Sequence, residues 1–209
     1  MAELSEQHSS GQNSSRVNPA NLAVGAVMAL AMTAGRGPVA RAIVAEAGLA
    51  AGDRAADIGC GPGTAVRRAA ASGVPVTGVD PSPAALSLAR MFTRRNAAEV
   101  AWLQGRAEHL PLPDAAVTVA WSISSVHHWA DPAAGIAELG RVLAPGGRVL
   151  LAERLTKPGA RGLAAHGSTR ERSEEVARDL TSAGFSDVRS HDLAAGRRTY
   201  VVIRAQRPG

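Results

Sequence analysis

Three closely spaced glycines after a short apolar run constrain how this chain can fold. Residues Ala55 to Ile58 predict a buried strand, and Gly59 to Gly63 predict a tight turn before an alanine- and arginine-rich helix. Glycines let the backbone of such a turn approach a ligand, because a side chain there would block it. A strand, glycine turn and helix in this order indicate a nucleotide-type cofactor site, and a plain strand-to-helix turn is the alternative.

The glycine spacing departs from the dinucleotide fingerprint G-x-G-x-x-G. That fingerprint needs its third glycine at position 64, where this chain has Thr64, so an NAD-type oxidoreductase is disfavoured. A carboxylate, Asp57, stands two positions before the first glycine, and a second predicted strand, Pro75 to Val79, ends in Asp80. Asp80 could accept hydrogen bonds from both ribose hydroxyls of a nucleoside. Two strand ends are therefore expected to meet at one ligand.

Several motifs along the chain resemble those of the class I S-adenosylmethionine-dependent methyltransferases. Their first motif, D/E-x-G-x-G-x-G, is matched by Asp57 and the three glycines. The segment Gly105 to Asp114 is similar to the family's G-D-A-E-x-L-P-F-x-D, and His127 to Arg148 contains H-H-W and E-L-x-R-V-L-x-P-G-G-R. The resemblance covers residues 50 to 205 and extends to type 11 small-molecule methyltransferases related to ubiquinone and menaquinone biosynthesis.

The resemblance implies S-adenosyl-L-methionine as cofactor and S-adenosyl-L-homocysteine as product. Asp57 would hold the turn or receive the cofactor's ammonium group through water, Asp80 would bind the ribose, and the Ala107 amide would donate to adenine. Glu108 either lines the adenine site or is only solvated. The cofactor-binding residues implied in this way are Asp57, Gly59, Cys60, Gly61, Gly63, Asp80, Pro81, Arg106, Ala107, Glu108, Trp121 and Ser122.

Two positions depart from the family pattern. Arg106 stands where the family commonly has an Asp that meets the adenine amino group, and Val117-Thr118 replaces Phe-Asp. A guanidinium has only donors, so Arg106 would stack on the purine or point to solvent. Thr118 is expected inside a buried strand, where a β-branched residue has a structural role.

A pair of histidines follows the fourth predicted strand. Methyl transfer is an in-line displacement at a sulfonium, so the enzyme mainly aligns the reacting atoms. A hydroxyl or carbon-acid acceptor also benefits from a base, and His127 or His128 is the candidate catalytic residue. The alternative is a turn histidine that packs on Trp129. No metal site is expected, because Asp131-Pro132 predicts a helix start rather than a ligand.

Alternating apolar runs and helical patterns predict an α/β fold with parallel strands, right-handed crossovers and helices on both faces. The resemblance implies a Rossmann-like, doubly wound, mostly parallel seven-stranded sheet with an antiparallel last strand, plus N-terminal helices. The predicted strands are 54–58, 75–80, 99–104, 115–121, 147–154, 185–191 and 198–205. The predicted helices after the glycine turn are 64–72, 82–96, 132–143 and 170–183, the second with Ser82 as its cap.

The chain has 209 residues, which predicts one domain over 19–209 after a disordered, Ser-rich tail at 1–18. Residues 19–50 are expected to form a helical preface or lid. Its apolar run, Leu22 to Ala34, is too short to span a bilayer, and Met28 and Met32 either line the substrate or cover the core. A second helix, Val39 to Ala47, would stop at Gly48.

Composition narrows the partners of this chain. The single cysteine, Cys60, allows no intrachain disulfide and favours a cytoplasmic location. The net charge is +5, but the arginines are scattered and aromatics make up 3%, so nucleic-acid binding is not expected. The short segment Thr156 to Thr169 leaves the site open, so either the N-terminal helices or a second subunit of a homodimer would exclude water.

The function expected from the sequence is methyl transfer from S-adenosylmethionine to a small molecule. The acceptor atom, oxygen, carbon or nitrogen, stays open. The first alternative is a protein that binds S-adenosylmethionine or S-adenosylhomocysteine without transferase activity, motivated by Arg106 and Thr118. An RNA methyltransferase is a less favoured alternative.

Overall fold

Seven strands of the described residues form one sheet. The structure is a computed structural model that describes residues 36–93, 99–157, 159, 162 and 166–209. The strands are β1 (Ala55–Ile58), β2 (Val76–Asp80), β3 (Val100–Gln104), β4 (Val117–Ile123), β5 (Leu143–Arg154), β6 (Ser186–Ala195) and β7 (Arg198–Gln206). Their order is β3-β2-β1-β4-β5-β7-β6, and β7 is antiparallel to both of its neighbours. The predicted α/β class and antiparallel last strand are confirmed.

The described part of the chain has five helices, and three of them begin at the predicted residue. They are α1 (Gly37–Ala47), α2 (Thr64–Ala70), α3 (Pro83–Phe92), α4 (Pro132–Val142) and α5 (Arg170–Ser182), with a 3₁₀ turn at Val126–His128. The Ser82 hydroxyl accepts from the N–H of Ala85 at 3.2 Å, and the Asp131 carboxylate accepts from the N–H of Ala134 at 3.1 Å. Each cap is followed by a proline at the first helical position.

Most predicted boundaries differ from the structure by one to four residues, among them those of β4, β5 and α3. Strand β4 begins at Val117 rather than 115, because Ala115 turns the chain at φ 52°. Strand β5 begins at Leu143, directly after α4, and pairs with Val117 ahead of a register shift. Helix α3 ends at Phe92 because Thr93 is extended, and the rest of its predicted length, 94–96, lies outside the described residues.

Of the predicted N-terminal helices, the structure describes the second. The helix predicted over Val39 to Ala47 is α1, and Gly48 ends it in the left-handed conformation with φ 58°. The tail 1–18 and the apolar run 22–34, with Met28 and Met32, lie outside the described residues. Within the described part of the chain, no helix is long and apolar enough to cross a membrane.

Helices cover both faces of the sheet. Residues of α1 and α2 form one apolar cluster with Trp121 and Tyr200, and residues of α4 and α5 form a second with Leu151 and Ile203. Opposite faces of β4 enter the two clusters, because Trp121 belongs to the first and Ala120 to the second. The central strands β1 and β4 are therefore covered on both faces, whereas β6 at the edge is mostly exposed, and polar chemistry around the central strands is left to the turns at their carboxyl ends.

Candidate cofactor and acceptor site

The glycine turn after β1 is fastened to the end of β2. The N–H of Gly61 donates to the Asp80 carboxylate at 2.7 Å, and the N–H of Ser82 donates to its other oxygen at 2.9 Å. Asp80 is 8% exposed. The two strand ends thus meet through this carboxylate, which has accepting capacity left for hydroxyl groups.

Two of the three glycines are needed for packing inside the protein rather than for approach to a ligand. A Cβ on Gly59 would lie 1.9 Å from the Ser125 Oγ, and a Cβ on Gly63 would lie 2.1 Å from the Trp102 ring. A Cβ on Gly61 would meet only the Arg36 guanidinium, at 3.9 Å. The sequence argument that a side chain would block a ligand therefore fits Gly61 and needs correction for Gly59 and Gly63.

Asp57 is a buried carboxyl beside this turn, with 3% of its surface exposed. Burial raises its pKa to about 7, and the nearby negative charge of Asp80 adds to the rise. Trp121 of β4 pairs with Asp57 across the sheet. The Trp121 indole N–H lowers the pKa of Asp57, although it does not reach hydrogen-bond geometry. The Arg36 charge acts in the same direction. A cation placed here would be held by Asp57 and would favour its ionised form.

Sequence reasoning missed Arg36, which precedes α1. Its side chain lines a small cavity of about 20 Å³ together with Asp57, Gly59 and Cys60. Burial lowers the pKa of Arg36, whereas Tyr200, Asp57 and Glu153 raise it, and a guanidinium stays charged in any protein environment. The sequence signal was weak, because Gly35-Arg36-Gly37-Pro38 reads only as a helix break.

The segment after β3 agrees with one of the two alternatives for Arg106 and gives Glu108 a contact that the sequence did not predict. The Arg106 side chain is 70% exposed and lies 3.8 Å from Glu108, so it points to solvent. Glu108 is not merely solvated, since its carboxylate accepts from the N–H of Ala130 at 2.6 Å. Burial opposes ionisation of Glu108, yet these backbone hydrogen bonds hold its pKa below the ordinary value. Ala107 is buried between them.

Four other predicted cofactor residues differ in exposure. Trp121 and Ser122 are completely buried in β4, and the Ser122 Oγ has no hydrogen-bond partner among the described residues. The Cys60 thiol is buried, and burial raises its pKa, which argues against a nucleophilic thiol. Pro81 is exposed and accepts a hydrogen bond from Gln104 at 3.4 Å. Trp121 and Ser122 are thus buried residues of β4, the strand next to β1, rather than exposed residues of the turn.

A buried glutamate orients the first histidine after β4. Glu153, at the end of β5, accepts from the N–H groups of Ser125 and Val126 at 2.9 and 2.8 Å. Its other oxygen lies 2.6 Å from the His127 Nδ1. A carboxylate can only accept, so Nδ1 carries the proton and Nε2 of the neutral ring carries the lone pair. Sequence reasoning missed Glu153, because nothing in the strand pattern relates it to a residue 26 positions earlier.

His127 also lines a cavity. Its Nε2 is buried without a hydrogen-bond partner in the described structure, and His127 lines a cavity of about 360 Å³ with Val126, Trp129 and Thr156. His128 lies with its ring centre 4.0 Å from that of His127. Burial and His127 hold the pKa of His128 below its ordinary value. The arrangement can accept a proton at His127 Nε2, and it singles out His127 from the predicted pair.

Thr118 lies near the amino end of β4, at the opposite end of the strand from the histidines. Its hydroxyl donates to Asp53 at 2.6 Å and accepts from the N–H of Arg54 at 3.0 Å. Arg148 binds the same Asp53 at 2.8 Å and the Ala47 carbonyl at 2.6 Å, which ties the end of α1 to the sheet. The structural role expected for Thr118 agrees with this position, although it is half-buried at the strand start rather than inside a buried strand.

Comparison with known proteins agrees with the motifs and the fold. The family model described as "Methyltransferase domain" matches residues 56–151. The 27-O-demethylrifamycin SV methyltransferase of Amycolatopsis mediterranei is 37% identical over 152 residues, which cover 71% of this chain and 55% of that protein. The chain thus spans about half the length of this curated relative.

Solved structures share the fold at lower identity. A chain of the Haloferax volcanii complex of the Trm112 methyltransferase activator with a methyltransferase has a TM-score of 0.75 at 20% identity, covering 90% of this chain and 97% of that one. A methyltransferase from Aquifex aeolicus that depends on S-adenosylmethionine has a TM-score of 0.68 at 18% identity, covering 92% and 100%. Motifs and similarity together show that residues 56–151 belong to the methyltransferase domain family, and the sheet order and the solved structures show that the chain has the fold of the S-adenosylmethionine-dependent methyltransferases.

Proposed function

We propose that this chain binds S-adenosylmethionine at the carboxyl edge of the sheet and transfers its methyl group to a small molecule. The observation that carries this proposal is the loop after β4. Its Ser125 lies against Gly59 of the cofactor turn, and two residues later His127, whose Nε2 is buried without a partner among the described residues, lines a cavity. One short loop thus adjoins both the expected cofactor and an acceptor cavity.

The side chains around the turn fit this cofactor. Asp57 and Arg36 have opposite charges and line one cavity, which matches the ammonium and carboxylate groups of a methionyl moiety. Gly61 has open space where its Cβ would be, and Asp80 can still accept from ribose hydroxyls. When bound, S-adenosylmethionine supplies a methyl group activated by a sulfonium leaving group. Gly59 and Gly63 keep the turn in place, and Ala107 is the proposed adenine contact.

His127 is proposed as the general base. An acceptor hydroxyl or carbon acid in the cavity would give its proton to His127 Nε2 as its new bond to the methyl carbon forms. Glu153 would stabilise the resulting imidazolium through Nδ1, and it holds the ring in the orientation that this transfer needs. His128 packs against the ring and has no such carboxylate, so its proposed role is to shield His127 from water.

The acceptor atom and the assembly are not fixed by these contacts. Oxygen, carbon and nitrogen acceptors all suit an in-line transfer. The name of the Amycolatopsis relative, a 27-O-demethylrifamycin SV methyltransferase, supports an oxygen acceptor, and His127 would serve as base for it too. A homodimer that closes the site stays a prediction, as does a cytoplasmic location.

Calorimetric titration with S-adenosylmethionine and S-adenosylhomocysteine tests the cofactor site. Asp80→Ala removes a charged acceptor, so we expect affinity to fall about 30-fold or more. Ser82→Ala is the matched control: it removes the neighbouring helix cap but keeps the carboxylate, so affinity should stay within about 3-fold. Absence of binding by folded protein would refute the proposal. Tight binding without transfer to any member of a broad acceptor panel would favour a binding protein instead.

A further inference from the structure

A second cavity of about 890 Å³ adjoins the His127 cavity. The two cavities share Thr156, Lys157 and Gly159, so they are continuous along the carboxyl edge of the sheet. Basic residues dominate the second one, since its lining contains five cations and one acid, Glu171. The five cations are Arg154, Lys157, Arg170, Arg197 and Arg198. We name this region the basic cavity.

The positive charge of the basic cavity is only partly neutralised. Arg170 binds Asp192 with contacts of 2.7 and 3.0 Å. In the described part of the chain, no ion pair joins Lys157, Arg197 or Arg198 to a carboxylate. Cations gathered in one concave region raise the local potential and attract anions. The basic cavity therefore has excess positive charge, which an anionic ligand would neutralise.

The position of these cations follows from the topology. Arg197 and Arg198 lie at the turn between β6 and β7, and β7 pairs with β5 so that Tyr200 stands beside Arg154. Lys157 follows β5, the strand that carries Glu153. The cations and the proposed base are thus held by the same strand ends, which gives them a fixed relation to each other.

We propose that the basic cavity binds a carboxylate or phosphate group carried by the methyl acceptor, while the acceptor's nucleophile lies beside His127. This inference rests on the proposed function. Guanidinium groups bind both kinds of anion through paired N–H donors, which orients a ligand as well as attracting it. An anionic handle held there would align the reacting atom without an aromatic platform.

Binding of simple anions tests this inference without knowledge of the acceptor. Pyrophosphate and citrate are titrated separately into the protein, so that the two arms distinguish phosphate from carboxylate. We expect saturable binding of at least one, weakened about 10-fold in the double variant Arg197→Gln, Arg198→Gln. The control is Arg204→Gln on the same strand, about 20 Å away by strand rise, which removes a charge but should leave the affinity unchanged.

Three results would overturn the inference. In the first, neither anion binds saturably. In the second, the double variant and Arg204→Gln weaken anion binding equally. In the third, a single-stranded RNA oligonucleotide binds where pyrophosphate and citrate both fail. S-Adenosylhomocysteine is titrated into the same samples. If it binds normally while the anions do not, the basic cavity inference fails alone. If it does not bind to the folded protein, the proposed function fails.

Discussion

The contact between Glu153 and His127 gives the sharpest prediction about catalysis. In the unmodified protein, the N–H groups of Ser125 and Val126 lie 2.9 and 2.8 Å from one carboxylate oxygen of Glu153. In Glu153→Gln, the amide oxygen can take the place of that oxygen and accept from both N–H groups. The amide NH₂ would then face His127 Nδ1 and donate to it. The ring proton is expected to move to Nε2, which removes the lone pair that the proposed base needs.

The size of the effect follows from these bonds. Replacing charge-assisted hydrogen bonds by neutral ones should lower the free energy of unfolding by about 1 to 3 kcal/mol. Loss of a positioned general base should lower turnover by about 10² to 10⁴, whereas affinity for S-adenosylhomocysteine should stay within about 3-fold. Nitrogen NMR of the labelled imidazole checks the tautomer directly, and turnover on an identified acceptor checks the rate.

Glu138→Gln is the matched control for this experiment. Glu138 also accepts from a backbone N–H, that of Leu110 at 2.7 Å, and also has a cationic partner, Arg141 at 2.7 Å. Its replacement should cost similar stability without changing the His127 tautomer or turnover. The reasoning is refuted if the Glu153→Gln variant keeps nearly full turnover while NMR shows the proton on Nε2 of His127. In that case His127 is not the base.

Four further predictions concern the turn and the sheet. Because burial raises the pKa of Asp57 to about 7, the folded protein keeps a proton there that the unfolded chain releases above about pH 4. The stability that comes from this neutral carboxyl is complete below pH 4 and is lost as the pH rises to 7, a change on the order of 4 kcal/mol. Asp57→Asn has no such loss, so in urea unfolding its stability relative to the unmodified protein should be higher at pH 8 than at pH 4. Gly63→Ala places a Cβ 2.1 Å from an indole ring and should unfold about 2 kcal/mol more easily than Gly61→Ala, whose Cβ has open space; equal thermal stability would contradict this. Thr118→Val should lose about 1 to 2 kcal/mol in urea unfolding without changing affinity for S-adenosylhomocysteine in calorimetry, because its hydrogen bonds lie at the far edge of the sheet. The Cys60 thiol should react with a disulfide reagent only at the rate of unfolding, as a colorimetric time course in increasing urea would show.

Local sequence patterns were sufficient to predict the elements that form the cofactor turn. The strand before Gly59, the helix caps at Ser82 and Asp131 and the end of α1 at Gly48 each depend on a few neighbouring residues, and the structure has all of them. The start of β4 was wrong by two residues because the left-handed turn at Ala115 has no glycine or asparagine to mark it.

Side-chain partners across the sheet could not be predicted in the same way. Glu153 meets His127 only because β4 and β5 are neighbours, and Glu108 reaches the backbone of Ala130 across two loops. Arg36 approaches Asp57 only because α1 packs against the sheet. These contacts depend on tertiary packing, which a reading of residue periodicity does not contain.

The position of β7 has a consequence for how the protein is made. Strand β6 leaves the ribosome before β7, yet β7 takes the place between β5 and β6. Until β7 emerges, the edge of β5 is open, and a nascent chain could pair β6 there directly, which is a kinetic trap of the kind common for nonlocal sheets. Glu153 pairs with Val201 of β7 in the finished sheet. The His127 site is therefore expected to mature only after synthesis has passed β7.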